Sequence, residues 1–328
     1  MTDRNHLSDG LLLLTAVIWG FAFVAQRVGM AYIGPFTFNG LRFALGCLVL
    51  LPFLGPRRNR PRAAFNTPVP MKAAALPAVG ALCGTVLFAG ASLQQVGLVY
   101  TTAGNAGFIT GLYVVIVPLM GLLWGQRTHR GTWLGALLAV AGLYLLSVTE
   151  QLHMAIGDFL VLLGAFVWAV HVHIIGRWSP RTDPLRLAWL QFAVCSLLSL
   201  ITGFILETIR WTAIQQAALA LLYGGALSVG VAYTLQVVAQ RRAHPAHAAI
   251  LLSLESVFAA LGGWLLLGEV LPARGIVGCA LMLAGMLVSQ LSFLSASTHR
   301  SNPPANAGQH RTLAGGDAAR PHEPQRSG

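Results

Sequence analysis

The sequence predicts an all-α integral membrane protein of ten transmembrane helices, arranged as two inverted five-helix repeats. Three observations lead there. Long apolar runs are nearly free of charge, basic residues are confined to alternate connections, and the second half of the chain repeats the first in order.

Of the 328 residues, 55% are hydrophobic and only 9% charged, and the mean hydropathy is +0.68. A soluble domain carries roughly 25% charged residues, so water is not the main solvent of this chain. About 20 apolar residues are needed to cross the hydrocarbon layer. Ten such runs lie near 11–31, 39–55, 73–92, 103–124, 131–149, 158–176, 187–206, 216–240, 246–267 and 275–294. The first is longer than the apolar core of a signal peptide and lacks a small-residue cleavage site, so it counts as a span. The four cysteines, Cys47, Cys83, Cys195 and Cys279, all fall inside predicted spans without CxxC spacing or a neighbouring histidine cluster. They predict packing rather than a disulfide or a metal site, and no cofactor is implied.

A formal charge of +11 would suit a nucleic-acid binder if the basic residues formed a patch, but they do not. Seventeen of the 21 Lys and Arg fall in one alternating set: Arg4, the connection from Arg57 to Lys72, Arg127 and Arg130, the group Arg177, Arg181 and Arg186, Arg241 and Arg242, and the C-terminal tail. The opposite set holds only Arg210 and Arg274. By the positive-inside rule both termini are cytoplasmic, in a multi-pass membrane protein. Residues 295–328, rich in Asn, Pro, Gly and Ala, are expected to form a disordered cytoplasmic tail.

The repeat is found by overlaying the halves 11–149 and 158–294. Gln94, Val96 and Val115 match Gln236, Val238 and Val257 at an offset of 142, and Gly135 and Gly142 match Gly278 and Gly285 at 143. Upstream, Trp19 and Phe43 match Trp168 and Phe192 at 149, the longer basic loop of the first half making the difference. A unit of five spans must enter its second copy from the opposite side, so the halves are related by a pseudo-two-fold axis in the membrane plane.

Several segments then carry a family resemblance: WGFAFVAQ at Trp19–Gln26, FNGLRF at Phe38–Phe43, TTAGNAGFITGLYVVIVPL at Thr101–Leu119 and LESVFAALGGWLLLGE at Leu254–Glu269. From Leu11 to Leu294 the chain resembles the ten-span type of the EamA family in the drug/metabolite transporter superfamily. Ser256 stands where the family usually has proline, and Gln126 where the first copy often has an acid. The resemblance implies movement of small metabolites or drug-like molecules, often export, across a bacterial inner membrane.

Polar residues inside the spans are the site candidates. Glu255 stands nine residues into the ninth span, roughly 13 Å below the cytoplasmic edge. Ionised there it costs about 2.5–3.5 kcal/mol, so it should face the bundle interior, be protonated or have a partner. His247 shares its helix face but is about 12 Å away along the axis, too far for contact. Trp168 and His171 lie on one face of the sixth span, from which His173 diverges. Arg42 is a turn inside the second span and suits an anionic group, while Arg27 is close enough to the edge to snorkel. Trp19 matches Trp168, Tyr113 is the repeat counterpart of Glu255, and Asn105 and Gln191 are placed by symmetry near the same layer or a gate. For each of these, structural packing is the competing reading.

The function expected is secondary transport by alternating access, driven by a substrate or proton gradient or passive. Its partners are a small-molecule substrate and the lipid bilayer, with protons as a candidate coupling ion and no nucleic acid. No GxxxxGK[ST] loop serves ATP, and no GxSxG, HExxH or paired intramembrane carboxylates serve an intramembrane enzyme. A non-transporting membrane interaction module is the remaining alternative.

Overall fold

The structure is a computed structural model that describes residues 2–55, 75–124, 130–147, 154–240, 248 and 251–301. Ten helices follow the predicted runs: α1 (Thr2–Gly29), α2 (Pro35–Leu50), α3 (Leu76–Tyr100), α4 (Ala103–Gly121) and α5 (Arg130–Ser147) in the first half. The second half has α6 (Ile156–Trp178), α7 (Pro184–Leu206), α8 (Ala218–Ala239), α9 (Leu251–Leu267) and α10 (Ala273–Ser301). Among the described residues, seven helices are long and apolar enough to cross a membrane, and α5, α9 and α10 contribute shorter apolar stretches. Leu137, Phe204 and Leu219 are 69%, 74% and 81% exposed, as lipid-facing side chains should be.

Local chemistry sets the ends. Pro35, Pro77 and Pro184 occupy first turns, where a missing N–H costs nothing. Thr102 and Asp183 cap α4 and α7, accepting from the N–H groups of Asn105 and Leu185 at 3.1 and 3.0 Å. Gly268 ends α9 at φ +64°, a left-handed position that suits glycine. Two helices are irregular. The regular winding of α4 is interrupted at Leu112 and it carries Pro118, and in α8 the stretch Tyr223–Tyr233 is a π-helix.

The last helix continues to Ser301, beyond the point near residue 295 where the disordered tail was expected to begin. Ser, Ala, Thr and His tolerate helical backbone, and the first residue that cannot continue a helix is Pro303. Residues 302–328 lie outside the described residues.

The helix neighbours obey the predicted symmetry. α5 packs on α10, α2 on α7 and α4 on α9; α3 packs on α6 and α7 as α8 packs on α1 and α2; α4 meets α6 as α9 meets α1. Exchanging α1–α5 with α6–α10 leaves this pattern unchanged. The three self-paired couples run antiparallel, as inversion requires. In α5 and α10 the backbones touch at Gly142 against Gly278 and at Gly135 against Gly285. In α2 and α7, Ser196 Oγ donates to Gly40 O at 2.8 Å while Thr37 meets Glu207 further along.

Glu207, Asp158 and Glu269 gather at one end of the bundle, opposite to Asp183. Glu269 accepts from the N–H groups of Ala103 and Gly104 at 2.8 and 3.0 Å, and Asp158 accepts from the Thr101 hydroxyl. Arg27, rather than only snorkelling, donates to the carbonyls of Leu98 and Val99 at 2.8 and 3.1 Å, which otherwise end α3 unpaired. The Glu269 and Asp158 contacts tie the two halves together at that end, while Arg27 braces α1 against α3 within the first half.

Candidate functional site

Between the halves lies a small, partly open cavity. Helical spacing aims its walls. Trp19, Phe23 and Gln26 stand at i, i+4 and i+7 on α1, and Trp168, His171 and Val172 at i, i+3 and i+4 on α6. Arg42 enters from α2, Gln94 from α3, Thr110 and Tyr113 from α4, Ser228, Tyr233 and Gln236 from α8, and Glu255 from α9.

Arg42 is 2% exposed. Its Nε donates to Asn39 Oδ1 at 3.0 Å, and Asn39 Nδ2 is held by Ala91 O at 3.1 Å. Its guanidinium lies 4.9 Å from the Phe43 ring centre and 5.8 Å from that of Phe38. Asn39 and the two rings therefore aim the charge, and no carboxylate among the described residues pairs with it. Glu255, 3% exposed, opens the regular part of α9, and its carboxylate accepts no hydrogen bond from a described residue.

Aromatic rings fill the space beside them. Tyr233 sits 4.5 Å from Trp19, 6.1 Å from Phe43 and 6.2 Å from Trp168, centre to centre. Trp168 meets His171 edge-on at 5.8 Å. His171 is fully buried, its Nε2 bonded to Gln191 Oε1 at 2.9 Å and its Nδ1 without a partner among the described residues. Tyr113 reaches the cavity with its hydroxyl unpaired among the described residues.

The cavity thus brings together Glu255, Arg42, Trp19, Trp168, His171 and Tyr113. Gln191 stands behind His171 rather than on the wall. Asn105 lies in the first turn of α4, at the acid-bearing end and away from the cavity. His247 lies outside the described residues. His173 points away from its helix neighbour His171, its Nε2 at 3.0 Å from Val117 O.

Sequence reasoning passed over Gln26, Gln94, Gln236 and Tyr233. Gln94 joins two helices, donating to Gln26 Oε1 and accepting from Trp168 Nε1, both at 3.0 Å. The matched pair Gln94 and Gln236 in the repeat overlay was the signal for them; Tyr233 left none.

An all-helical membrane protein with inverted repeats and, between them, a cavity that holds charged and polar side chains is, by class, a transporter. The chain belongs to the EamA-like transporter family, whose model matches residues 6–148 and again residues 155–291. It is similar to an uncharacterized transporter of Archaeoglobus fulgidus, 33% identical over 290 residues that cover 88% of this chain and 87% of the relative. It is also similar to a protein of Salmonella typhimurium named a probable amino-acid metabolite efflux pump, 27% identical and covering 89% of this chain and 98% of that one. A third relative, from Streptantibioticus cattleyicolor, is named a probable terminal-alkyne amino-acid exporter, 27% identical with 89% and 96% covered. A solved crystal structure shares the fold at TM-score 0.61 and 20% identity, covering 89% of this chain and 98% of its own. The chain is a multi-pass membrane protein and a secondary transporter of small molecules.

Proposed function

We propose that this transporter exports small zwitterionic metabolites of the amino-acid type by alternating access, with both its termini in the cytoplasm of a cell whose inner membrane it spans. The supporting observation is that Glu255 and Arg42, of opposite formal charge, line one cavity while buried and without an ion-pair partner among the described residues. Buried unpaired charges are costly, and a zwitterion offers each of them a counter-charge at once. Two relatives named for amino-acid export agree with that chemistry. A proton taken up by Glu255 in place of the substrate's ammonium group would couple export to proton entry. The alternation of basic connections supports the orientation.

Purified protein is to be screened by thermal shift against neutral amino acids, their amides and their decarboxylated amines, since a ligand of the folded state raises its melting temperature. Hits are then assayed for flux in liposomes. The expected result is stabilisation and flux for the intact zwitterions only. Equal responses to the amine and the amide would sink the two-charge reading, and product formation instead of flux would favour an enzyme.

A further inference from the structure

The repeat relates two Trp–Gln couples across the cavity: Trp168 with Gln94, and Trp19 with Gln236. The structure treats them differently. In the first couple the indole N–H of Trp168 donates to Gln94 Oε1 at 3.0 Å. In the second the indole N–H of Trp19 goes to the backbone carbonyl of Ser228 at 3.2 Å, and Gln236 Oε1 is buried without a donor among the described residues.

An amide oxygen left unbonded in a membrane interior is a standing cost, and its symmetry-matched donor lines the same cavity. Ser228 belongs to the π-wound stretch of α8, whereas α3, its repeat counterpart, is regular. Such widened turns recur where helices change shape in function.

We propose that the two couples are alternating latches: Trp168–Gln94 holds the conformation seen here, and Trp19–Gln236 closes in the oppositely facing one as the first opens. In an inverted-repeat protein the two facing states arise when the halves exchange conformations, so of two symmetry-related bonds, each joining one half to the other, the one made in one state is expected to be broken in the opposite state. The exchange keeps the number of buried bonds nearly constant and so keeps the states close in energy. The balance is skewed, because Gln94 also donates to Gln26, while the position matching Gln26 at the offset of 149 is the apolar Ile175. The skew favours the conformation seen here.

The latch rests on the alternating-access reading, and its test separates the two. Spin labels at Tyr32→Cys and Val270→Cys, one in each half at the acid-bearing end, report the facing state by their distance, with the four native cysteines replaced by alanine. The host variants are Gln94→Leu and Gln236→Leu, with Trp168→Phe and Trp19→Phe as ring-preserving alternatives should a glutamine variant fail to fold. A neutral hydrogen bond is sufficient to move a two-state ratio about five-fold. Loss of Gln94 or of the Trp168 N–H should shift the distribution away from the distance of this structure by that factor. Loss of Gln236 or of the Trp19 N–H should shift it toward that distance. Shifts in the same direction, or none, overturn the latch alone. One unchanging distance in the wild type and in every variant overturns alternating access and the latch together.

Discussion

Glu207, at the end of α7, grips Thr37 in the first turn of α2: Oε2 accepts from the Thr37 N–H at 2.8 Å and from its hydroxyl at 2.6 Å. Oε1 takes the neighbouring N–H of Phe36, also at 2.8 Å. No side chain of α2 itself caps that end. The acid can approach only because residue 34 is glycine, where a Cβ would overlap the carboxylate. Glu207→Gln and Gly34→Ala should therefore each lower stability by about 1–2 kcal/mol, the usual worth of a helix cap. Thermal unfolding in detergent measures this, and unchanged melting temperatures in both variants would show that the grip contributes nothing.

Glu255→Gln keeps the size of the side chain and removes its charge and proton. Folding should survive, and substrate flux should lose its response to an imposed pH gradient. Flux is to be compared with wild type at equal abundance in the membrane. Normal transport with an intact gradient response would make Glu255 a structural residue.

Arg42→Lys retains the charge but loses the Nε bond to Asn39 and the planar face held over Phe43. Arginine and lysine differ most where geometry is fixed by such contacts, so KM for a carboxylate-bearing substrate should rise about ten-fold, with kcat less affected. A variant with wild-type KM would remove Arg42 from the binding site.

Gly278→Val places two methyl groups against the backbone of α5, where the Cβ alone would stand 2.7 Å from the carbonyl oxygen of Gly142. Overpacking of this kind costs about 1–3 kcal/mol or more where backbone must move. The expected outcome is a lower yield of folded protein on size-exclusion chromatography, and unchanged yield would show that α5 and α10 separate easily.

The orientation is open to direct labelling. Cysteines placed in the connection 148–153 should react with an impermeant reagent from outside intact cells, while tags at either terminus should not be reached. The reverse pattern would invert the topology.

The spans, the five-helix repeat and the family resemblance were legible along the chain because each rests on composition, charge placement or ordered identity, none of which depends on how a helix is turned. Glu255 and Arg42 stood out for the same reason, since a charge inside an apolar run is conspicuous in one dimension. Asn105 looked equally exceptional, yet it stands at a helix start because Thr102 caps that turn.

The membership of the cavity was decided only in three dimensions. Helices that are apolar nearly all round carry no polar stripe to tell which face turns inward, so nothing in the pattern separates Gln94, which bridges Gln26 and Trp168, from Gln191, which only supports His171. The rotation of each helix is set by close packing of small residues, such as Gly84 against Val194 and Gly97 against Val161, contacts between residues far apart in the chain. The same packing decided that Trp168 found its glutamine while Trp19 did not. That asymmetry between equivalent residues exists only in the folded arrangement, because the two repeats adopt different conformations there.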